Sequence, residues 1–191
     1  MNSFAVPPIN PHQIALDIST GALNPSGPTL VRKLSDLAGC FENSKIYNAE
    51  VAASNPIVYQ VKSSTVPELP SELPQSITTI YPGNCGGELF MTKGHQHPDP
   101  QGEIYFGLEG VGGIIMFNGK DKKYVEITPG KIGYIPPGWA HRSINSGETG
   151  YKFLAVYPGS AGHDYGWVLE NGMGLRGFSE NGKLILKDYA I

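Results

Sequence analysis

The sequence predicts an all-β protein, an antiparallel sandwich or barrel of short strands, and three observations carry that prediction. From Pro56 onward, apolar and polar residues alternate or form short apolar runs, the period of strands rather than helices. Pro or Gly stands at almost every junction between these runs, where it punctuates the chain as a turn. The composition agrees: 25 Gly, 16 Pro and 10 Tyr in 191 residues, with only 16% charged, suits many strands joined by tight turns.

Taken in order, Met1 to Pro28 is rich in Pro, Asn, Ser and Gly and reads as an irregular arm or an edge strand. Pro28 then opens TLVRKLSDLAG, where Leu30, Leu34, Leu37 and Ala38 fall at helical spacing and Gly39 supplies a stop. That spacing predicts a short amphipathic helix, and Ser44 to Ala53 a second. Strands are expected at residues 57–62, 76–81, 88–92, 103–108, 112–117, 123–127, 132–135, 141–145 and 152–157. Two more are expected at 166–170 and 183–187. Residues 63–75, SSTVPELPSELPQ, form a Pro-rich polar connector between two strands. No internal repeat or low-complexity block interrupts the chain. At this length a single domain with a sizeable core is expected over residues 1–191.

The net charge is -3 and no Lys/Arg run exceeds two residues, which argues against a nucleic-acid or polyanion surface. No apolar run approaches the ~18 residues of a membrane span. The start, MNSFAVPPINPHQ, lacks the basic and apolar blocks of a secretory signal, so a cytoplasmic location is expected. Cys40 and Cys85 are far apart and form no CxxC pair. They read as buried thiols of a reducing compartment, with a disulfide between them left open.

Chemistry concentrates in TKGHQHPDPQGEIY, Thr92 to Tyr105. His95 and His97 stand at i and i+2, which on a strand places both on one face. PDPQG reads as a turn that returns the chain so that Glu103 opens a neighbouring strand. Two imidazoles and a carboxylate on one side of such a hairpin supply three legs of a divalent metal site. A lone H-x-H also occurs by chance on exposed strands. His141, one of only five histidines, is the candidate fourth leg, in GKIGYIPPGWAHRSIN.

That second segment places Gly130, Pro136, Gly138, His141 and Asn145 at the spacing of the second motif of the cupin superfamily. The first motif is matched in part, by His95, His97, Glu103 and Gly110. The gap from His97 to Glu103 is one residue longer than is common in cupins, and Leu89 stands where a glycine is usual. One branch is matched more closely. The chain resembles the cupin-type glucose-6-phosphate isomerases of archaea and some bacteria in TKGH-x-H with a longer gap to Glu103 and Tyr105 two positions on. It also resembles them in the PIVYQV strand (56–61), TT-x-x-YPG (78–83), YIPPGWAHR (134–142), YP-x-x-AGHDYG (157–166) and RKLSDLAG (32–39). The resemblance covers about residues 30 to 187. AGHDYG is not a general cupin feature, which makes the resemblance specific.

The resemblance implies a cupin double-stranded β-helix, a jelly-roll barrel over about residues 56–187, with one or two short N-terminal helices and an arm at 1–28. It implies a metal inside the barrel held by His95, His97, Glu103 and His141. Three nitrogens and one oxygen suit Fe(II) first, and also Mn(II), Ni(II) or Zn(II), and argue against Ca(II). The reaction implied is the interconversion of glucose 6-phosphate and fructose 6-phosphate, in which a proton leaves C2 and arrives at C1 through a cis-enediol. Glu103 is then both ligand and base, with a hydride shift as the competing mechanism. Tyr105 shares the face of Glu103 and either hydrogen-bonds the sugar or fills the core. Matching the family, the phosphate would be held by Tyr59, Thr79, Thr92, Gly94, Tyr157 and His163. His163 is also a candidate catalytic group, and Trp139 reads as packing. A homodimer is the family expectation, with strand exchange through the arm. Rival readings are a non-heme iron oxygenase on the same fold, a cupin that only binds sugar, and an isomerase acting on mannose 6-phosphate.

Overall fold

A computed structural model describes residues 9–189. Residues 1–8 of the expected arm lie outside them. In chain order the strands are β1 (Ala15–Asp17), β2 (Ala22–Asn24) and β3 (Ser26–Lys33). A 3-10 turn (Leu34–Leu37) and helix α1 (Ser44–Ala53) follow. Then come β4 (Ile57–Ser64), β5 (Gln75–Ile80), β6 (Asn84–Cys85), β7 (Glu88–Leu89), β8 (Glu103–Glu109) and β9 (Gly112–Phe117). The chain continues through β10 (Lys122–Glu126), β11 (Ile132–Ile135), β12 (Ala140–Asn145), β13 (Tyr151–Val156), helix α2 (Tyr165–Asn171), β14 (Leu175–Glu180) and β15 (Lys183–Asp188).

The expected mostly-β architecture is what these strands build. A six-stranded sheet runs β11-β8-β13-β5-β4-β3, and a three-stranded sheet runs β10-β9-β12, all pairs antiparallel. A four-stranded sheet, β15-β14-β7-β6, and the β1-β2 hairpin complete the set, and the sheets do not close into one continuous ladder. Ile114 and Ile144 from the small sheet and Ile80, Tyr151 and Phe153 from the large one are buried in a single shared core.

Register across the large sheet decides what its inner face shows. Leu30, Val61, Thr78, Phe153 and Gly107 stand opposite one another from β3 to β8, and so do Ser63, Ser76, Ala155 and Tyr105. Side chains on one strand alternate between faces, so these two rows share a face. The row between them, Lys62, Ile77 and Leu154, points the other way, and so does the row on the far side of the first, Gln60, Thr79 and Lys152.

Three expectations are corrected. The helix over 28–39 is instead strand β3 as far as Lys33 and then a single 3-10 turn. The apolar spacing is real, since Leu34 and Leu37 are fully buried, but pairing with β4 overrides the helical reading of Leu30. The strand expected at 166–170 is the helix α2. Asp164 caps it by accepting the Trp167 N–H, and Gly172, at φ 70°, ends it. The strand β14 was not anticipated, although Asn181-Gly182, both at positive φ, is the turn signal of the β14-β15 hairpin. The helix at Ser44 to Ala53 stands as expected, capped by the Asn43 side chain. Among the described residues no helix is long and apolar enough to cross a membrane.

Candidate metal centre and its cavity

His95 and His97 do not lie on a regular strand. The stretch from Met91 to His97 runs beside β12 through isolated bridges, Met91 to Ile144 and His95 to His141, and Gln96 is bridged to Asp164. Glu103 does open a strand, β8, but β8 pairs with β11 and β13. The hairpin expected from the PDPQG turn is therefore corrected. The turn carries the chain to the other sheet, and the carboxylate meets the imidazoles across the core.

The meeting is close. One ligand atom from each of His95, His97, Glu103 and His141 lies within 4.8 Å of all the others. Metal bonds of about 2.1 Å put two donors at most about 4.2 Å apart, so a contraction of roughly half an ångström would seat an ion. His97 Nε2 is 3.2 Å from Glu103 Oε2 and His141 Nε2 is 3.0 Å from the same oxygen. Glu103 is 4% exposed.

Hydrogen bonds on the far side of the rings set the tautomers. His97 Nδ1 donates to the Gly162 carbonyl at 2.8 Å, and His141 Nδ1 faces the Trp139 carbonyl at 3.3 Å. A neutral imidazole with its proton on Nδ1 presents a lone pair at Nε2. Two such lone pairs then face a carboxylate oxygen, an arrangement that repels unless a cation lies between. His95 Nε2 is buried with no hydrogen-bond partner. Buried polar atoms are rarely left so. The donor set therefore fits a divalent transition metal.

Charge at the site follows from the same contacts. Burial pushes the His95 imidazole well below its usual value, and the like charges of His141, His163 and His97 push the same way. It is neutral and ready to ligate. Burial would raise the Glu103 carboxyl, but when His141 and His97 carry a second proton, on the Nε2 atoms that face it, their hydrogen bonds and charge outweigh burial and hold Glu103 below the usual carboxylate value; a bound cation would take the place of those protons. Burial also raises the Tyr105 hydroxyl well above its usual value, with the Glu103 charge adding to it.

Three of the four residues reach a cavity, with His97 packed behind them. His95, Glu103 and His141 line it with Tyr59, Ser76, Thr78, Thr92, Gly94, Tyr105, Tyr157, His163 and Tyr165. Of the residues expected to hold phosphate, Tyr59, Thr92, Gly94, Tyr157 and His163 are thus brought together. Thr79 is not. It belongs to the outward row of β5, where its side chain lies against Gly21 and Gly150, and Thr78 takes the inward place. Thr92 Oγ1 accepts the Ser143 N–H at 3.0 Å, which leaves its hydroxyl proton free to donate inward. Tyr157 is already engaged, donating to Glu68 Oε1 at 2.8 Å. Burial lowers the His163 imidazole, and its ring centroid is 4.5 Å from that of His95. Tyr105 stacks on Phe153 at 4.4 Å, and Trp139 packs against the core. Ser76, Thr78, Glu68 and Tyr165 were missed by sequence reasoning. QSITTI carries polar residues of both parities, so the strand alone does not say which face is inward.

The family model and the curated relatives agree on one family. The model of a family described as Glucose-6-phosphate isomerase matches residues 31–190. A glucose-6-phosphate isomerase of Thermococcus litoralis is 40% identical over 180 residues, covering 93% of this chain and 94% of that one. Another, of Thermococcus kodakarensis, is 39% identical over the same shares. Among solved structures, an oxalate oxidase in complex with glycolate is 17% identical with a TM-score of 0.43, covering 50% of this chain and 47% of that one.

Proposed function

The chain belongs to the glucose-6-phosphate isomerase family, and from that premise we propose that it interconverts glucose 6-phosphate and fructose 6-phosphate at the His95, His97, Glu103, His141 centre. The observation that carries this reading is the cluster of lone pairs that opens on a cavity lined by hydroxyls. Those four residues would hold one divalent transition metal, Fe(II) first, with Mn(II), Ni(II) or Zn(II) also suited. A bound metal supplies Lewis acidity to the sugar oxygens at C1 and C2, stabilising negative charge that develops there.

The chain's own residues do the rest. Glu103 takes the C2 proton and returns it at C1, through a cis-enediol; a carboxylate buried at 4% exposure keeps that proton away from bulk water. Tyr105, two positions along β8 and in the same cavity, stays protonated and donates to a sugar oxygen. His163, neutral and beside His95, exchanges a hydroxyl proton of the sugar. Tyr59, Thr78, Thr92 and the Gly94 N–H receive the phosphate. Coupled assays of fructose 6-phosphate conversion test the reading, using protein stripped by chelator and reloaded with single metals. Activity that survives complete chelation would remove it.

We also infer a homodimer to which residues 1–28 contribute. Among the described residues the outer edge of β3 is unpaired in the large sheet, and Leu30 and Val31 on it are 38% and 44% exposed, the kind of edge that a second chain covers. Light scattering at low micromolar concentration is expected to give twice the 20.5 kDa of one chain; the mass of one chain would remove this inference.

A further inference from the structure

Among its lining residues the cavity has two carboxylates, Glu68 and Glu103, and no Lys or Arg. A sugar phosphate carries nearly two negative charges at neutral pH, and the donors assigned to it here are neutral. Besides the proposed metal, the cations near this lining stand one layer behind it: Lys93, whose Nζ lies 5.3 Å from the centroid of the Tyr165 ring, Arg32 beside Tyr59, and Arg142.

Arg142 occupies that layer. It is 3% exposed, and among the described residues no carboxylate lies within 4.0 Å of it. Its Nε is buried without a partner. A buried guanidinium left without an anion is costly, and a structure that keeps one has a use for the charge. Alternation on β12 points Arg142 away from its neighbour His141, to the outer side of the turn Thr92-Lys93-Gly94. There its Nη2 donates to the Lys93 carbonyl at 2.8 Å.

That bond aims the turn. In a trans peptide the C=O and the following N–H point in opposite directions. With the Lys93 carbonyl drawn outward to Arg142, the Gly94 N–H points inward, toward the cavity that Gly94 lines. It donates to no acceptor among the described residues. Gly94 sits at φ 77°, and a Cβ there would lie 3.1 Å from Arg142 Cβ and from the His141 carbonyl oxygen. Only glycine lets the turn lie this close to Arg142.

We propose that Arg142 is a positioning residue for the phosphate group of the substrate: it turns the Gly94 N–H into the cavity and places an uncompensated positive charge behind the phosphate seat. This deepens the proposed function and rests on its placing of phosphate at Thr92 and Gly94. Arg142 touches neither the substrate nor the metal ligand atoms, so it acts on binding.

The test compares metal-loaded wild type with Arg142→Met, Arg142→Lys and Thr92→Val. Metal content, KM and kcat for fructose 6-phosphate, and the inhibition constant of inorganic phosphate are measured for each. Arg142→Met is expected to raise KM and the phosphate inhibition constant together by about tenfold or more, with full metal content and a much smaller fall in kcat. Arg142→Lys restores the charge and is expected to recover most of that loss. If Arg142→Met does not accumulate as folded protein, Arg142→Gln takes its place with the same expected result. Wild-type phosphate affinity in the charge-removing variant, alongside weakened affinity in Thr92→Val, overturns the role of Arg142 and leaves the phosphate seat standing. Wild-type affinity in Thr92→Val as well overturns the seat itself. Loss of metal in both Arg142 variants, with affinity following the metal, also overturns the proposal, because Arg142 would then only support His141.

Discussion

His95 and His141 stand directly opposite each other and exchange both backbone hydrogen bonds, His95 N–H to the His141 carbonyl at 3.1 Å and His141 N–H to the His95 carbonyl at 2.9 Å. Directly opposed residues of an antiparallel pair project to the same side, and the two rings lie 4.2 Å apart. The backbone thus sets two imidazoles side by side before any metal arrives. His97 and Glu103 then need only their own side-chain contacts to complete the set. Replacing any one of His95, His97 or His141 by Ala is expected to cost at least the roughly 10–100-fold in metal affinity that changes behind a ligand cost. His12→Ala, whose ring hydrogen-bonds the Asn10 carbonyl at 2.9 Å and lies outside the cluster, is expected to change nothing. Elemental analysis after dialysis reads the outcome, and full occupancy in His141→Ala would refute the ligand set.

The two threonines of β5 give a sharper test of the cavity, because they are adjacent, both buried and on opposite faces. Thr78→Val is expected to raise KM for the sugar phosphate by about tenfold, the cost of one hydrogen bond to a charged group. Thr79→Val removes a hydroxyl that faces away from the cavity, and KM is expected to stay within about twofold. Steady-state kinetics on both variants decides; a larger effect from Thr79→Val would reverse the assignment of inner and outer rows.

That pair also shows where sequence reasoning stops. The four candidate ligands were legible because H-x-H, a following Glu and a distant His are a sparse pattern in a chain with five histidines. Most strands were legible because Gly and Pro mark their ends. Face and partner were not. Thr78 and Thr79 differ only in register, which is set by pairing with β4 and β13. The leucines of residues 30–37 satisfy a helical period by coincidence, because Leu30 faces the cavity from a strand while Leu34 and Leu37 plug the core from a 3-10 turn. Arg142 was quoted only as a letter of a motif, since its burial and its lack of a carboxylate exist only in three dimensions.

Cys40 and Cys85 are both buried and free, as the reading of them as ordinary thiols expected. Burial pushes the Cys85 thiol up to about 11 from 9.0, and the charges of Glu50 and Glu88 add to it. A raised value means the folded chain keeps a proton that the unfolded chain gives up sooner. The associated stability is therefore complete below about pH 9 and is lost as pH rises through about 11. At pH 8 the folded protein holds about a hundredfold less Cys85 thiolate than an ordinary thiol would. Iodoacetamide is expected to label Cys85 slowly in the native protein and rapidly in denaturant. Native labelling at the rate of a free thiol would contradict the burial.

Glu103 separates a catalyst from a mere metal binder. Its carboxylate is asked to do two things, to complete the ligand set and to carry a proton between two carbons of the substrate. Glu103→Gln keeps the shape and one oxygen donor and removes the charge and the basicity. Three imidazoles remain, so a metal is expected to stay at saturating concentration. A positioned base contributes roughly 10²–10⁴-fold, and kcat is expected to fall by about that factor with KM little changed. An abstracted proton also has a chance to exchange before it returns, so wild-type enzyme in deuterated water is expected to place some deuterium at C2 of glucose 6-phosphate. A hydride shift carries the C2 hydrogen directly to C1 and leaves none in exchange with solvent at any conversion. Metal-saturated Glu103→Gln with near wild-type kcat would reduce Glu103 to a ligand. Full loss of activity in Glu103→Gln without any solvent exchange in the wild type would keep Glu103 essential and leave only a hydride shift or an enediol whose shielded proton returns before it exchanges.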